Sequence, residues 1–231
     1  MTEDGRRSSV LRPPSDLQHY LECADYLSIS HLAANNKRVL SELIALTLDP
    51  DDLIGWRAVK ALGLASAIVA DTDAEFVRGI LRRLMWMMND ESGSIGWRAP
   101  QAMGAIIAHR PHLFSEFIPI VVSMLDVPET HFYPGVLWAI GYIAEYDPEL
   151  VQYAFPTVLN FLRDPSPQTR GMAAWCAGKM EKKKAIRALK TLFDDSATAN
   201  IFFTDGIAEI SVSQLARNAV WTIEHGKNKS A

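Results

Sequence analysis

The chain has 231 residues, of which 48% are apolar and 22% are charged, and its net charge at pH 7 is −4. This composition can supply a substantial hydrophobic core and argues against a globally disordered chain. The negative net charge opposes nonspecific binding to nucleic acid and to anionic membranes, so we expect neither as a partner.

The N-terminal residues 1–14 contain no apolar segment of the kind that a secretion signal needs, and we expect them to form a disordered tail. No apolar run approaches the roughly 20 residues of a membrane-spanning helix. Cys23 and Cys176 belong to no C-x-x-C motif and to no disulfide framework. These features predict a cytoplasmic protein.

One domain is expected over residues 15–231, beginning with a capping helix at 15–34. Ser15 and Gln18 have the spacing of a helix-capping box. Behind them, four residues fall on one helical face: Leu17, Tyr20, Leu21 and Ala24.

The rest of the domain is built from a repeat. The sequence IGWRA occurs at 54–58 and again at 95–99. Small residues precede each of four anchor glycines at matching offsets, and these anchors are Gly63, Gly104, Gly141 and Gly178. Such a period indicates stacked helical hairpins of about 40 residues each. The predicted hairpin units span about 38–70, 73–109, 112–146, 148–181 and 183–226.

The anchor glycines predict where the hairpins touch. A glycine inside a helix destabilises it by about 0.5–1 kcal/mol relative to alanine, so its repeated use needs a compensating contact. We expect each anchor to lie where the next helix approaches closely. Within this pattern, Thr72 and Glu75 have capping-box spacing, and Pro100 is expected to kink the second helix of its unit or to break it before Arg98.

The segment Arg163–Met180, RDPSPQTRGMAAWCAGKM, resembles the HEAT-like repeats named after the phycobilisome lyases. The matching positions are Asp164, Pro165, Arg170, Ala173, Ala174 and Gly178. The resemblance covers roughly residues 38–225 and implies an all-α, right-handed solenoid of about five hairpins whose second helices line the concave surface. Gly55 and Gly96 stand where the fourth unit has Arg170, so a continuous arginine–aspartate ladder is not expected.

A small β-hairpin is predicted near the C-terminus, within the insert 195–212. Thr204-Asp205-Gly206 separates two short β-prone runs, 201–203 and 207–212. Ser211 and Gln214 then have the spacing to cap the last helix. The insert is either a decoration that shields the last unit or a binding loop.

No catalytic residues, metal ligands or cofactors are predicted. His109 and His112 have the i, i+3 spacing of some metal ligands, but Pro111 lies between them and no further ligand follows at a suitable spacing. The chain has no glycine-rich phosphate-binding motif. Cys176 takes the small-residue place of the repeat and is expected to be buried and inert.

Aromatic residues provide the candidate site. Trp56 and Trp97 lie seven residues before their anchors, and Trp138 and Trp175 lie three residues before theirs, so the four share a helical face. His131 and Tyr142 extend this face in the third unit. We predict that the face is a partly exposed strip inside the concave surface, with Arg57 and Arg98 as rim charges. Alternatively, the tryptophans fill gaps between adjacent helices.

The aromatic strip and the resemblance favour a non-catalytic scaffold or adaptor that binds a protein or peptide on the concave face. Two enzyme alternatives stay open, a chromophore-lyase-like protein and a DNA-glycosylase-like HEAT-repeat enzyme. The second would need a basic groove, which the negative net charge opposes. The oligomeric state is not predicted.

Overall fold

Residues 15–88 and 98–226 are described by the structure, a computed structural model. The predicted tail 1–14 and Trp97 lie outside these residues. The α-helices are α1 (Ser15–Glu22), α2 (Tyr26–Asn35), α3 (Val39–Leu46), α4 (Asp52–Met87), α5 (Ala99–His109), α6 (Pro111–Phe114), α7 (Ile118–Ser123), α8 (Tyr133–Tyr146), α9 (Phe155–Asn160), α10 (Pro167–Lys179), α11 (Ile186–Lys190) and α12 (Val212–His225). Short 3₁₀ turns lie at Ser115–Phe117, Thr130–Phe132, Pro148–Ala154, Phe161–Arg163 and Lys183–Ala185. The strands are β1 (Thr198–Phe203) and β2 (Gly206–Ser211).

The second helices pack side by side in the order α4, α5, α8, α10 and α12. The anchor glycines lie at the contacts between them. A Cβ atom placed on Gly104 would be only 2.5 Å from the Cβ of Ala139, and one placed on Gly178 would be 2.8 Å from the Cβ of Ala219. Because these distances are shorter than real Cβ contacts, the helices can approach this closely only at glycine. The close contact predicted from the repeat is confirmed, and the architecture is an α-solenoid.

Helix α4 changes direction at Asp73, whose φ of −151° and ψ of 74° are not helical. The Asp73 carboxylate accepts a hydrogen bond from the Phe76 amide at 3.0 Å and another from Lys37 at 2.7 Å. The hydroxyl of Thr72 instead donates to the Val69 carbonyl. The predicted cap at Thr72 is therefore wrong by one residue, since the Asp73 carboxylate reaches the free amide of the next turn.

By length and composition alone, α4 is also apolar enough to cross a membrane. However, 67% of its most apolar window is buried inside the fold. Such burial is typical of a core helix, because its apolar face is already covered by neighbouring helices.

The N-terminal cap differs from the single helix predicted at 15–34. Residue Ala24 adopts a φ of 55°, which interrupts the helix, and α2 begins after it. The Asp25 carboxylate caps α2 by accepting a hydrogen bond from the Ser28 amide at 3.1 Å. An aspartate at this place offers the backbone an alternative to helix continuation, which explains the two shorter helices.

For Pro100 the predicted alternatives were a kink and a break before Arg98, and the described residues agree with the break, because the helix starts only after Arg98. Helix α5 begins at Ala99, so Pro100 lies in its first turn and not in a helix interior. Proline is well accommodated there because the first-turn amides have no partner inside the helix. The helix therefore needs no kink at this residue.

Strands β1 and β2 form the predicted hairpin, an antiparallel pair in which Phe203 lies opposite Gly206. The base of the hairpin is fixed to α10, because the Gln168 side chain bonds both the amide and the carbonyl of Asn200, at 2.8 and 2.7 Å. After β2, the Ser211 hydroxyl accepts a hydrogen bond from the Gln214 amide at 3.2 Å, which confirms the predicted cap of α12.

Candidate functional site

The tip of the hairpin lies against the opposite end of the solenoid. The Tyr26 hydroxyl donates a 2.7 Å hydrogen bond to the Asp205 carboxylate, and the Lys60 ammonium forms an ion pair with the same oxygen at 2.7 Å. A six-residue strand spans about 20 Å, so Asn200, bonded to α10, and Asp205, bonded to α2 and α4, lie within this distance. Neighbouring helices pack about 8–10 Å apart, so a flat row of α4, α5, α8 and α10 would span about 24–30 Å. The row is therefore curved, and the hairpin crosses its concave face.

The backbone of the tip is bound by Arg57 and again by Lys60. The Arg57 guanidinium donates to the Asp205 carbonyl at 3.2 and 3.1 Å, and Lys60 donates to the Thr204 carbonyl at 2.8 Å. Thr204 has a φ of 50°, an unfavourable conformation for a β-branched residue. Such a conformation persists where surrounding contacts hold it, and these donors supply them.

Five aromatic side chains form a continuous cluster along the concave face, which we name the aromatic cluster: Trp56, Trp138, Tyr142, Trp175 and Phe202. The Trp56 ring stacks on Phe202 of the hairpin, with centroids 5.4 Å apart and planes inclined by 5°. It meets Trp138 edge to face at 5.1 Å. Trp138 in turn stacks on Tyr142 at 4.7 Å and lies parallel to Trp175 at 6.4 Å.

A cleft of about 250 Å³ opens between this cluster and the hairpin tip. Its lining residues are Lys60, Trp138, Tyr142, Glu145, Trp175, Lys179, Phe202, Phe203 and Thr204. Across Phe203 a second cleft of about 160 Å³ continues toward α12. We call the two clefts together the groove. Its walls combine aromatic surface with charged groups.

The cations of the groove are paired with carboxylates. Lys179 lies 2.8 Å from the Glu145 carboxylate and 5.6 Å from the centre of the Trp175 ring. Lys60 pairs with Asp205 and lies 4.5 Å from the centre of the Tyr26 ring. The groove is therefore polar at its edges without a strong excess of one charge.

The structure brings three of the predicted site residues together as expected: Trp56, Tyr142 and Trp175 are half-buried members of the aromatic cluster. The predicted exposure of Trp138 is wrong, because only 3% of this residue is exposed. The neighbouring rings of the cluster cover it. Its indole N–H is buried and finds no hydrogen-bond acceptor among the described residues.

His131 does not join the cluster. It is exposed and lies in the 3₁₀ turn before α8, with its ring 4.0 Å from that of Phe132. The helical offset that suggested its place does not hold, since the α-helix begins only at Tyr133. The prediction of a shared face is therefore wrong for this residue.

Arg98 is not the predicted rim charge either. It is only 8% exposed, donates a 2.6 Å hydrogen bond to the Thr47 carbonyl and pairs with Asp52. Its guanidinium fills the space beside Gly55, where a Cβ would meet it at 2.5 Å. Arg98 thus ties neighbouring units together. Arg57 is half-buried and faces the hairpin tip, so its charge does not project from a free rim.

The surroundings shift several pKa values in and beside the groove, among them those of Asp205, Tyr26 and His109. Burial of Asp205 acts to raise its pKa, but the hydrogen bonds from Lys60 and Tyr26 outweigh this and lower it. Burial and the bond to Asp205 raise the pKa of Tyr26. Burial, with Arg110 and Lys60 nearby, lowers the pKa of His109 to about 4. At neutral pH, Asp205 is therefore charged and His109 is neutral.

His109 lies beside the groove, whereas the sequence analysis considered it only as a metal ligand and rejected that role. Its two ring nitrogens lie 3.4 Å from the Tyr142 hydroxyl and 3.3 Å from the Tyr146 hydroxyl. Lys60, Glu145 and Lys179 were also missed. Lys60 had a signal, since it lies three residues before Gly63, the offset of Trp138 and Trp175 from their own anchors.

Two of the chemical groups considered from the sequence can be located in the structure. Among residues 15–88 and 98–226, no three His, Cys, Asp or Glu side chains could hold a metal ion together. Cys176 is buried, and burial raises the pKa of its thiol, which disfavours the reactive thiolate.

Comparison with solved structures supports the fold. A designed armadillo repeat protein in complex with the peptide (KR)4 matches with a TM-score of 0.50 and 18% identity, over 90% of this chain and 100% of that chain. A HEAT-like repeat protein from the archaeon Thermococcus onnurineus NA1 matches with a TM-score of 0.40 and 14% identity, over 92% of this chain and 98% of that chain. No protein-family model matches, and the curated proteins give no match. The chain is similar to repeat solenoids in fold, and the phycobilisome-lyase subtype stays a prediction.

Proposed function

We propose that this chain is a non-catalytic scaffold that binds a protein or peptide segment in the groove. The observation that carries the proposal is the aromatic cleft of about 250 Å³ on the concave face. The same face already holds an extended segment of the chain itself, strand β1. A second segment lying along this face would meet the same aromatic rings.

The chemistry of the lining suits a peptide. Aromatic side chains contribute much of the binding energy at protein interfaces, because they bury large areas at a small cost in side-chain entropy. Glu145 and Lys179 stand beside the rings and can bind backbone or side-chain polar groups of an incoming segment. Because each cation of the cleft is paired with a carboxylate, the groove favours a peptide over the phosphate backbone of a nucleic acid.

The designed armadillo repeat protein of similar fold is in complex with the peptide (KR)4, which supports a peptide as the class of partner. That peptide is basic, whereas this cleft presents Lys60 and Lys179, each paired with a carboxylate. We therefore expect this chain to select a different peptide chemistry.

The proposal is tested by panning a phage-displayed library of random peptides on the immobilised wild-type chain. Enriched peptides should bind about tenfold or more weakly to Trp175→Ala, because this variant removes a ring that lines both clefts. Trp86→Ala is the matched control, since Trp86 is 54% exposed and lies outside the groove lining.

Thermal melting of both variants shows whether the fold is retained, and Trp175→Phe, which keeps an aromatic ring, should recover most of the binding. Peptides that bind wild type and Trp175→Ala equally well would contradict the proposed site.

A further inference from the structure

The hairpin tip is recognised by a set of side chains that we name the tip site: Tyr26, Trp56, Arg57 and Lys60. These residues lie on α2 and α4, far from the hairpin in sequence. Together they contact one aromatic ring, one carboxylate and two backbone carbonyls of the tip. Each contact is of a kind that another peptide could make.

The aromatic ring and the carboxylate of the tip belong to residues three positions apart, Phe202 and Asp205. Phe202 is stacked on Trp56 and is only 7% exposed, whereas Asp205 accepts hydrogen bonds from Tyr26 and Lys60. The Asp205 carbonyl, at the turn itself, is held by Arg57. The recognised pattern is therefore an aromatic residue followed at the third position by an aspartate in a tight turn.

The tip site keeps its shape through contacts that do not involve the hairpin. Arg57 also donates to the carbonyls of Leu21 and Glu22, at 3.1 and 2.7 Å. Trp56 is held by the edge-to-face contact with Trp138, and Lys60 lies over the Tyr26 ring. A site whose donors are already oriented loses little entropy when a segment binds, so these side chains remain poised when the tip is absent.

The polar contacts of the tip are more exposed than the packing of the base, where Ala199 and Ile201 are only 2% and 1% exposed. A two-stranded hairpin is marginally stable on its own. Around the turn, Phe203 and Ile207 are each 37% exposed, and the side chains of Lys60 and Asp205 are 27% and 36% exposed. Ion pairs with this exposure contribute little, because water and salt screen them. The base, in contrast, remains bonded to Gln168 on α10 whether or not the tip is docked.

We propose that the tip site binds, in a partner protein, a turn segment with an aromatic residue three positions before an aspartate, and that the hairpin tip is its displaceable occupant within the chain. Charge complementarity supports this partner, because displacement of Asp205 leaves Lys60 without its carboxylate and Arg57 without one carbonyl. This inference rests on the proposed function and names the peptide chemistry that the groove selects.

The test uses the full-length chain and a synthetic peptide with the sequence of residues 198–211, TANIFFTDGIAEIS. Asp205→Lys is the release variant, because it places a like charge against Lys60 and Arg57. A second release variant combines Asp205→Lys with Phe202→Ser, which also removes the ring that stacks on Trp56. A tethered segment acts at an effective concentration in the millimolar range, so the wild-type hairpin competes strongly with the added peptide.

We expect the labelled peptide to bind at least one release variant about tenfold or more tightly than wild type, as measured by fluorescence anisotropy. A tenfold change in the apparent dissociation constant is expected if the tip occupies its site in about 90% of wild-type molecules, because only the remaining tenth can bind the peptide. In the release background, Lys60→Met should abolish the gain. The matched control Lys179→Met should retain it, because Lys179 lines the cleft without bonding the tip. A peptide with the Asp205→Asn change should bind more weakly, by about fivefold or less, because the lost ion pair is partly exposed.

Binding that is equal for wild type and both release variants, or absent from all of them, overturns the inference. Dimerisation of wild type that the peptide reverses would assign the site to a second copy of this chain, and this also overturns it. These failures differ from a failure of the proposed function. If library peptides lose affinity when Trp175 is changed but not when Lys60 is changed, the proposed scaffold function is supported and only the proposal of the tip site is overturned.

Discussion

Two contacts within this chain differ in almost every physical respect: the joints between successive second helices and the contact between the hairpin tip and the first unit. At the joints, backbones approach each other directly, as where Gly104 faces Ala139, and the surroundings are fully buried. At the tip, the contact is made by side chains such as Lys60 and Asp205, which remain partly exposed.

The difference separates what maintains the fold from what can change during function. A joint leaves no space for adjustment, because a packed interior transmits any added volume as strain. Each hydrogen bond of the tip has a polar alternative in water, so breaking these bonds costs little. The buried part of the tip contact is the ring of Phe202, which is 7% exposed and stacked on Trp56. The predictions below test this contrast, beginning with the largest expected effect.

Trp138 belongs to the aromatic cluster but should behave as part of the packed interior. We expect Trp138→Ala to lower the free energy of unfolding by about 3–5 kcal/mol, because it leaves a cavity among covered rings. The control Trp221→Ala should change stability by less than about 0.5 kcal/mol, since Trp221 is 65% exposed. Chemical denaturation of both variants provides the measurement, and similar losses in the two would place Trp138 at the surface.

His109 links α5 to α8 through its contacts with Tyr142 and Tyr146. Its pKa falls from an ordinary 6.5 to about 4 in the folded chain, so the folded state binds the proton less readily than the unfolded state. The contribution of His109 to stability is therefore complete above pH 6.5 and declines as the pH falls toward 4. The decline should approach about 3 kcal/mol.

Urea titrations at a series of pH values measure how the free energy of unfolding changes with pH, and this dependence is the slope that His109 contributes to. His109→Gln removes the titrating group, and the slope between pH 6.5 and 4 should become shallower in this variant. An unchanged slope would mean that His109 titrates normally and is not enclosed by the groove.

Two glycines that both lie within helices, but in different surroundings, test the joints. Gly104→Ala should destabilise the chain by about 1–3 kcal/mol, since the new methyl group would lie 2.5 Å from the Ala139 Cβ. Gly79→Ala adds the same methyl group where nothing lies within 4 Å, and should stabilise by about 0.4–1 kcal/mol. The melting temperatures of the two variants should move in opposite directions. A shift of the same sign in both would contradict the close contact between helices at Gly104.

The smallest effect is expected at the hairpin tip. Asp205→Asn should lower stability by less than about 1 kcal/mol, because the ion pair with Lys60 is partly exposed. The lowered pKa of Asp205 means that the wild-type contribution is present above pH 3.8 and is lost as the pH falls below it. Hydrogen exchange of the β1 amides should accelerate in the variant at neutral pH. A loss of stability comparable to that at a joint would show that the tip is part of the permanent fold.

The sequence allowed prediction of features that repeat or that depend on neighbouring residues. The anchor glycines predicted the joints, and Thr204-Asp205-Gly206 predicted the hairpin. The docking of the tip could not be predicted, because it joins residues such as Tyr26 and Asp205 that share no repeat position and are far apart in sequence. Arg98 was misplaced because its helical offset does not determine whether a flexible side chain turns inward onto Gly55 or outward to solvent.

The docked tip is the central claim of this account, and the contact between Trp56 and Phe202 tests it most directly. In a nuclear magnetic resonance experiment on the wild-type chain, we predict nuclear Overhauser effects between the protons of these two rings, whose centroids lie 5.4 Å apart. The cross-strand effects between β1 and β2 serve as the internal reference. If the cross-strand signals are present and the signals between Trp56 and Phe202 are absent, the hairpin forms without entering the groove, and the account is contradicted.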